Sequence, residues 1–220
     1  MNKKALIAEF IGTFTLIFIG VGAIAADHMT GGKLGLTGIA LAHGLAIGTM
    51  ASAVGAISGG HFNPAVTIGL WSAKKINTIN AAGYVIVQCL GAMTAAYLIK
   101  ECVPMETLAA VGMGTPALGA NITAQMGLIT EIILTFFLVF VIYGTAVDSH
   151  APKCGGLFIG LAVALVILMG GPISGAAMNP ARHLGPALLG GGLQNMWIYW
   201  VGPIVGGVLA AQIYKTQLEK

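Results

Sequence analysis

The frame Ile57-Ser58-Gly59-Gly60-His61-Phe62-Asn63-Pro64-Ala65 returns later in the same chain as Ile173-Ser174-Gly175-Ala176-Ala177-Met178-Asn179-Pro180-Ala181. Further pairs extend the duplication: Glu9-x3-Thr13-Phe14 matches Glu131-x3-Thr135-Phe136, and Tyr84, Gly91, Ala95-Ala96 match Tyr199, Gly206, Ala210-Ala211. Around these pairs lie apolar runs of spanning length, at about Lys4–Ala26, Leu36–Ala56, Ala81–Ile99, Gly127–Val147, Gly155–Met169 and Met196–Tyr214. The fifth run is short. Three crossings per repeat is an odd number, so the second copy must enter the bilayer from the opposite face. The pattern predicts an all-α membrane protein: one transmembrane domain over 1–220, built from inverted halves of about 1–105 and 120–220 joined by Pro104–Gln125.

Composition agrees that lipid is the main solvent. Hydrophobic residues make up 57%, charged residues 8%, and mean hydropathy is +0.90, whereas a soluble domain carries about 25% charged residues. The net charge of +3 comes without any Lys/Arg run, which excludes nucleic acid as a partner. Lys3, Lys4, Lys74, Lys75, Lys153, Lys215 and Lys220 group on one side, leaving Lys33 and Lys100 on the other. That asymmetry places both termini in the cytoplasm, and the expected location is the cell (plasma or inner) membrane. The apolar run after Lys3-Lys4 is too long for a signal peptide and reads as the first span. Cys89, Cys102 and Cys154 suggest neither a disulfide framework nor a metal site and are expected to be packing residues.

Asn is a preferred helix cap and Pro a preferred first helical residue. Asn63-Pro64-Ala65 and Asn179-Pro180-Ala181 therefore predict helix starts, with helices over about Pro64–Ser72 and Pro180–Leu189. Both are too short to span. In an inverted pair their positive N-terminal ends meet near the bilayer midplane. Irregular backbone before each cap survives at that depth only if it is buried or lines a wet cavity. Its carbonyls, facing two Asn amides, form a file suited to a small neutral hydrogen-bonding solute.

The two Asn-Pro-Ala boxes, the Glu-x3-Thr-Phe pair and Asn179-Pro180-Ala181-Arg182 resemble the aquaporin or major intrinsic protein family over the whole chain. The resemblance implies six transmembrane helices plus two half-helices, a homotetramer with one pore per protomer, and passage of water and small neutral solutes through a lipid bilayer. It makes Asn63 and Asn179 donors to the solute. Backbone carbonyls of Gly59, Gly60, His61 and Phe62, and of Gly175, Ala176, Ala177 and Met178, become the acceptor file. It also makes His43, Ile167, Ala176 and Arg182 the outer selectivity filter. That quartet is similar to plant tonoplast-type filters, which are associated with ammonia and sometimes urea besides water. Exclusion of cations by a filter arginine and half-helix dipoles is the general explanation already given for aquaporin-type pores.

Arg182 is the chain's single arginine, and a guanidinium at membrane depth is costly enough to imply function. A lone His in an apolar helix is ordinarily a packing residue, and only the resemblance moves His43 to the pore wall. Glu9 and Glu131 sit inside spans without basic neighbours in sequence; their duplicated placement predicts acceptors for the box loops rather than proton carriers. His183 is expected to reach the outer vestibule. No nucleophile–base pair, metal-ligand spacing or phosphate loop is present, so neither catalysis nor a cofactor is expected. The competing readings are a glycerol-type facilitator of the same fold, a proton-coupled carrier, and a structural membrane protein. The first is disfavoured by His183, Ala187 and Tyr199-Trp200, and by the short chain.

Overall fold

A computed structural model describes residues 2–219. Nine α-helices and no strand occur among them: α1 Lys3–Met29, α2 Gly35–Ser58, α3 Pro64–Ser72, α4 Thr78–Leu98, α5 Met105–Ala110, α6 Ala124–Ile142, α7 Gly155–Ser174, α8 Pro180–Pro186 and α9 Ile198–Ile213. Five of these, α1, α2, α4, α6 and α7, are long and apolar enough to cross a bilayer. The sixth crossing, α9, has 16 residues and continues through a wider helical turn, Tyr214–Leu218.

Boundaries follow from local chemistry. Asn77 and Thr123 cap α4 and α6 by accepting the Asn80 and Met126 amides. The fifth crossing is not short, as the sequence suggested. It runs to Ser174 through Pro172, because a proline near a helix end gives up one hydrogen bond and neighbouring helices supply the packing. Conversely, regular helix after the second box stops at Pro186 rather than Leu189, and Ala187–Gly191 forms a looser turn. The linker between the halves contains α5 and a tight helical turn, Gly112–Gly114.

The molecule is inside out relative to a water-soluble protein. Ile79 and Leu165 are 70% and 66% exposed, while Glu9 and Glu131 are 0% exposed; the exposed apolar faces are those lipid covers, making this an integral multi-pass membrane protein. Without a hydrophobic force between helices in lipid, close backbone approach must hold the bundle. A Cβ at Gly44 would stand 2.5 Å from the Gly160 carbonyl oxygen, and one at Gly160 the same distance from that of Gly44. Likewise Gly91 meets the Phe10 carbonyl, and its repeat mate Gly206 meets Ile132. The halves also interlock: α3 of the first packs on α9 of the second through Gly69 and Gly207, and α8 packs on α4 through Gly185 and Ala92.

At the C-terminal end, Glu219 accepts from Lys75 Nζ and from the Tyr143 hydroxyl at 2.8 Å. These two contacts hold its carboxyl below the usual glutamate range. Cys89 packs in the core, but Cys102 and Cys154 are exposed, so the packing expectation fails for those two: both lie at helix ends, beyond the bundle.

Candidate functional site

Each box loop hangs from a carboxylate one helix away. Glu9 Oε1 accepts Ser58 Oγ (2.7 Å) and the His61 amide (2.9 Å), while Oε2 accepts the Phe62 amide (2.6 Å) and Gln88 Nε2 (2.8 Å). Glu131 repeats the pattern with Ser174 Oγ (2.6 Å) and the amides of Ala177 (2.9 Å) and Met178 (2.7 Å). The threonine four residues on, Thr13 or Thr135, donates back to the glutamate's own carbonyl. Tyr84 and Tyr199 hydroxyls donate to the Ser58 and Ser174 carbonyls. Both carboxylates are therefore acceptors for the loops, and every donor they meet is neutral.

These bonds hold backbone that would not keep its shape alone. The loops leave α2 and α7 at Gly59 and Gly175, with φ of 90° and 80°. Further on, Gly60, Phe62, Ala176 and Met178 also take positive φ, at 66°, 49°, 45° and 51°. For the three that are not glycine this region costs of order 1–3 kcal/mol each. With side chains turned aside, the loop carbonyls can point into the lumen.

The two asparagines lock the halves together. Asn63 Oδ1 accepts the Ala65 amide (2.8 Å) and its Nδ2 donates to the Met178 carbonyl (2.7 Å); Asn179 Oδ1 accepts from Ala181 and Arg182, and its Nδ2 donates to the Phe62 carbonyl (3.0 Å). An amide nitrogen carries two hydrogens, so each asparagine keeps one uncommitted to the other half. The Phe62 and Met178 carbonyls are thus each engaged by the opposite half's asparagine, and each retains a second lone pair.

Three cavities follow one another through the bundle. The middle one has the box loops on one side and an apolar wall that includes Leu16, Ile47, Leu138, Ile159 and Val163 on the other. An outer vestibule adjoins it, walled by Leu36, Ile39 and the linker residues Gly114–Ala117. Four residues line both: His43, Ile167, Ala176 and Arg182. They form the neck between the two. On the far side a vestibule shares only His61 with the middle cavity and is bordered by Lys75 and Asn77.

The neck's electrostatics centre on Arg182, 5% exposed. Its Nη1 donates to the Gly114 carbonyl at 2.8 Å, and no carboxylate pairs with it among the described residues. A guanidinium with no carboxylate in contact leaves positive potential at the neck. Gly114 was not visible as a site residue in the sequence, since nothing in the linker's pattern announces which carbonyl returns to the neck. His43 hydrogen-bonds the Ile39 carbonyl through Nδ1 (2.8 Å), which makes Nδ1 the donor and leaves Nε2 as an acceptor in the neutral ring. The ring tip lies over Gly20, where an added Cβ would be 2.3 Å from Nε2. His183 is not in the outer vestibule as expected: it is 1% exposed and stacked on Tyr199, on the face of α8 turned away from the lumen.

Gly20 thus sets the space for His43. Gly20→Ala is expected to push the ring toward the neck and cut water permeability at least about threefold, overpacking of this kind being worth about 1–3 kcal/mol. Stopped-flow light scattering reads the loss, and adding His43→Ala should restore flow.

The model of the family described as major intrinsic protein matches residues 1–214. The chain belongs to the major intrinsic protein family. Aquaporin TIP4-4 of Zea mays is 44% identical over 220 residues, covering 96% of this chain and 85% of that protein. Aquaporin TIP4-1 of Arabidopsis thaliana is 46% identical over 222 residues, covering 98% and 86%. Among solved structures, the aquaglyceroporin from Plasmodium falciparum superposes with a TM-score of 0.87 at 27% identity, covering 98% of this chain and 96% of that one. Members of the family are channels, so this chain is a channel and not an enzyme.

Proposed function

We propose that the chain, as one channel unit over 1–220 made of halves 1–105 and 120–220, conducts water passively and excludes protons and ions. Ammonia and other small neutral solutes are secondary candidates. The observation that carries the reading is the neck of His43, Ile167, Ala176 and Arg182 opening onto a lumen with donors and acceptors on one side only. Water passing it loses its shell against the apolar wall and regains hydrogen bonds from the loop carbonyls and from the free hydrogens of Asn63 and Asn179. At the asparagines a water accepts from both amides. Its own hydrogens then point away from the midplane on either side, which interrupts a proton wire, and the half-helix N-termini repel positive charge there.

The plant relatives named as aquaporins support water as the main solute. The lysine asymmetry supports cytoplasmic termini, and the cell's bounding membrane is the proposed location. Assembly as a homotetramer is proposed from the family likeness.

Liposomes containing the protein, jumped into hyperosmotic glycerol, separate water from polyol in one trace. The expected result is shrinkage far faster than in empty liposomes, with reswelling no faster than in them. Fast reswelling would favour the glycerol facilitator, and no change in shrinkage would remove the channel reading.

A further inference from the structure

Both halves set an imidazole against the tyrosine that caps the box loop, but they take it from different places. In the first half it comes from the loop itself: His61 meets the Tyr84 ring edge-on at 5.2 Å and 77°. The position equivalent to His61 in the second half is Ala177, which leaves Tyr199 without that neighbour. His183 of the half-helix α8 fills the role instead, lying flat on Tyr199 with ring centroids 4.2 Å apart and planes 13° from parallel. Its own repeat mate is Thr67, whose hydroxyl meets Gln88 Nε2 and His61 Nδ1 at 3.0 Å each. That polar contact has no counterpart, because Pro203 stands where Gln88 would be.

Neither ring nitrogen of His183 has a hydrogen-bond partner, although the residue is 1% exposed. Buried polar atoms are partnered in the great majority of cases. An imidazole held in place with both nitrogens idle is acting through its face and volume. What lies beyond that face is a short chain of contacts: the Tyr199 hydroxyl donates to the Ser174 carbonyl at 2.9 Å, and Ser174 Oγ both joins Glu131 and accepts the Ala176 amide at 3.2 Å.

We propose that His183 is a positioning residue for selectivity, an aromatic plate that fixes Tyr199 and through it the loop carrying Ala176, which shares the neck with Arg182. The inference rests on the channel reading above. In the second half Ala177 stands at the loop position, beside the middle cavity, and the brace comes from α8 instead.

The test compares His183→Phe with His183→Leu in proteoliposomes, reading the ratio of urea to water permeability. Both side chains fill the space, but only Phe offers a ring face. His183→Phe is expected to keep the wild-type ratio, and His183→Leu to raise it at least about threefold, the scale of a lost aromatic pair. Tyr199→Phe, which keeps the ring and loses the hydroxyl, should raise the ratio similarly. The double variant His183→Leu/Tyr199→Phe should go no further than the larger single change. An unchanged ratio in His183→Leu, a His183→Phe that behaves like His183→Leu, or additive single changes would each overturn the proposal. Wild-type liposomes that shrink no faster than empty ones would remove the channel reading and this inference with it. Fast wild-type shrinkage with an unchanged His183→Leu ratio removes this inference alone.

Discussion

Replacing Glu131 by Ala is expected to prevent the second box loop from forming. The change leaves Ser174 Oγ and the amides of Ala177 and Met178 buried without an acceptor. Each orphan costs about 1–3 kcal/mol, so the total is at least about 3 kcal/mol, a large part of what a folded protein has to spare. Glu9→Ala strands four donors and should be worse. Glu131→Gln discriminates further. It keeps size and polarity but turns one acceptor into a donor facing donors, and it too should unfold well below wild type. Detergent-solubilised protein, followed by monodispersity and thermal unfolding, gives the answer; a Glu131→Gln variant as stable as wild type would mean the carboxylate is not what shapes the loop.

Arg182→Val is expected to leave the fold intact and spoil the selectivity. Valine is a conservative choice on structural grounds, since Val66 occupies the equivalent position of the other half-helix. The variant removes the one charge in the neck and frees the Gly114 carbonyl. Urea or glycerol entry should rise about tenfold, corresponding to ~1.4 kcal/mol of lost barrier, and cation leak should become measurable. Arg182→Lys keeps the charge but lacks the planar fork, so it should hold back cations better than neutral solutes. Reswelling traces and a potential-sensitive dye in the same liposomes separate the two effects.

These two variants touch the parts of the site that were easiest to read in advance. The glutamates, asparagines and Arg182 were legible because the chain writes its motifs twice, and a repeated residue in an apolar span has few explanations. The first half-helix, Pro64–Ser72, could be bounded from its cap and length alone. What could not be read were contacts between segments with no shared pattern. Gly20 matters only because His43 leans on it, and Gly114 only because the linker folds back to Arg182. His183 was misplaced because adjacency to Arg182 in sequence says nothing about which face of α8 it takes; helical geometry turns successive residues by about 100°. The engagement of Phe62 and Met178 carbonyls by the opposite asparagines is likewise a product of the halves meeting, which neither half specifies alone.

A pore that passes water and stops protons can have both properties measured in one preparation. Proteoliposomes loaded with a pH-sensitive dye are given an osmotic step and, separately, a pH gradient with a potassium ionophore clamping the potential. The expected result is rapid shrinkage with proton entry no faster than in empty liposomes. Water flow accompanied by protein-dependent collapse of the pH gradient would contradict it, because the opposed asparagines and Arg182 would then not interrupt the proton path.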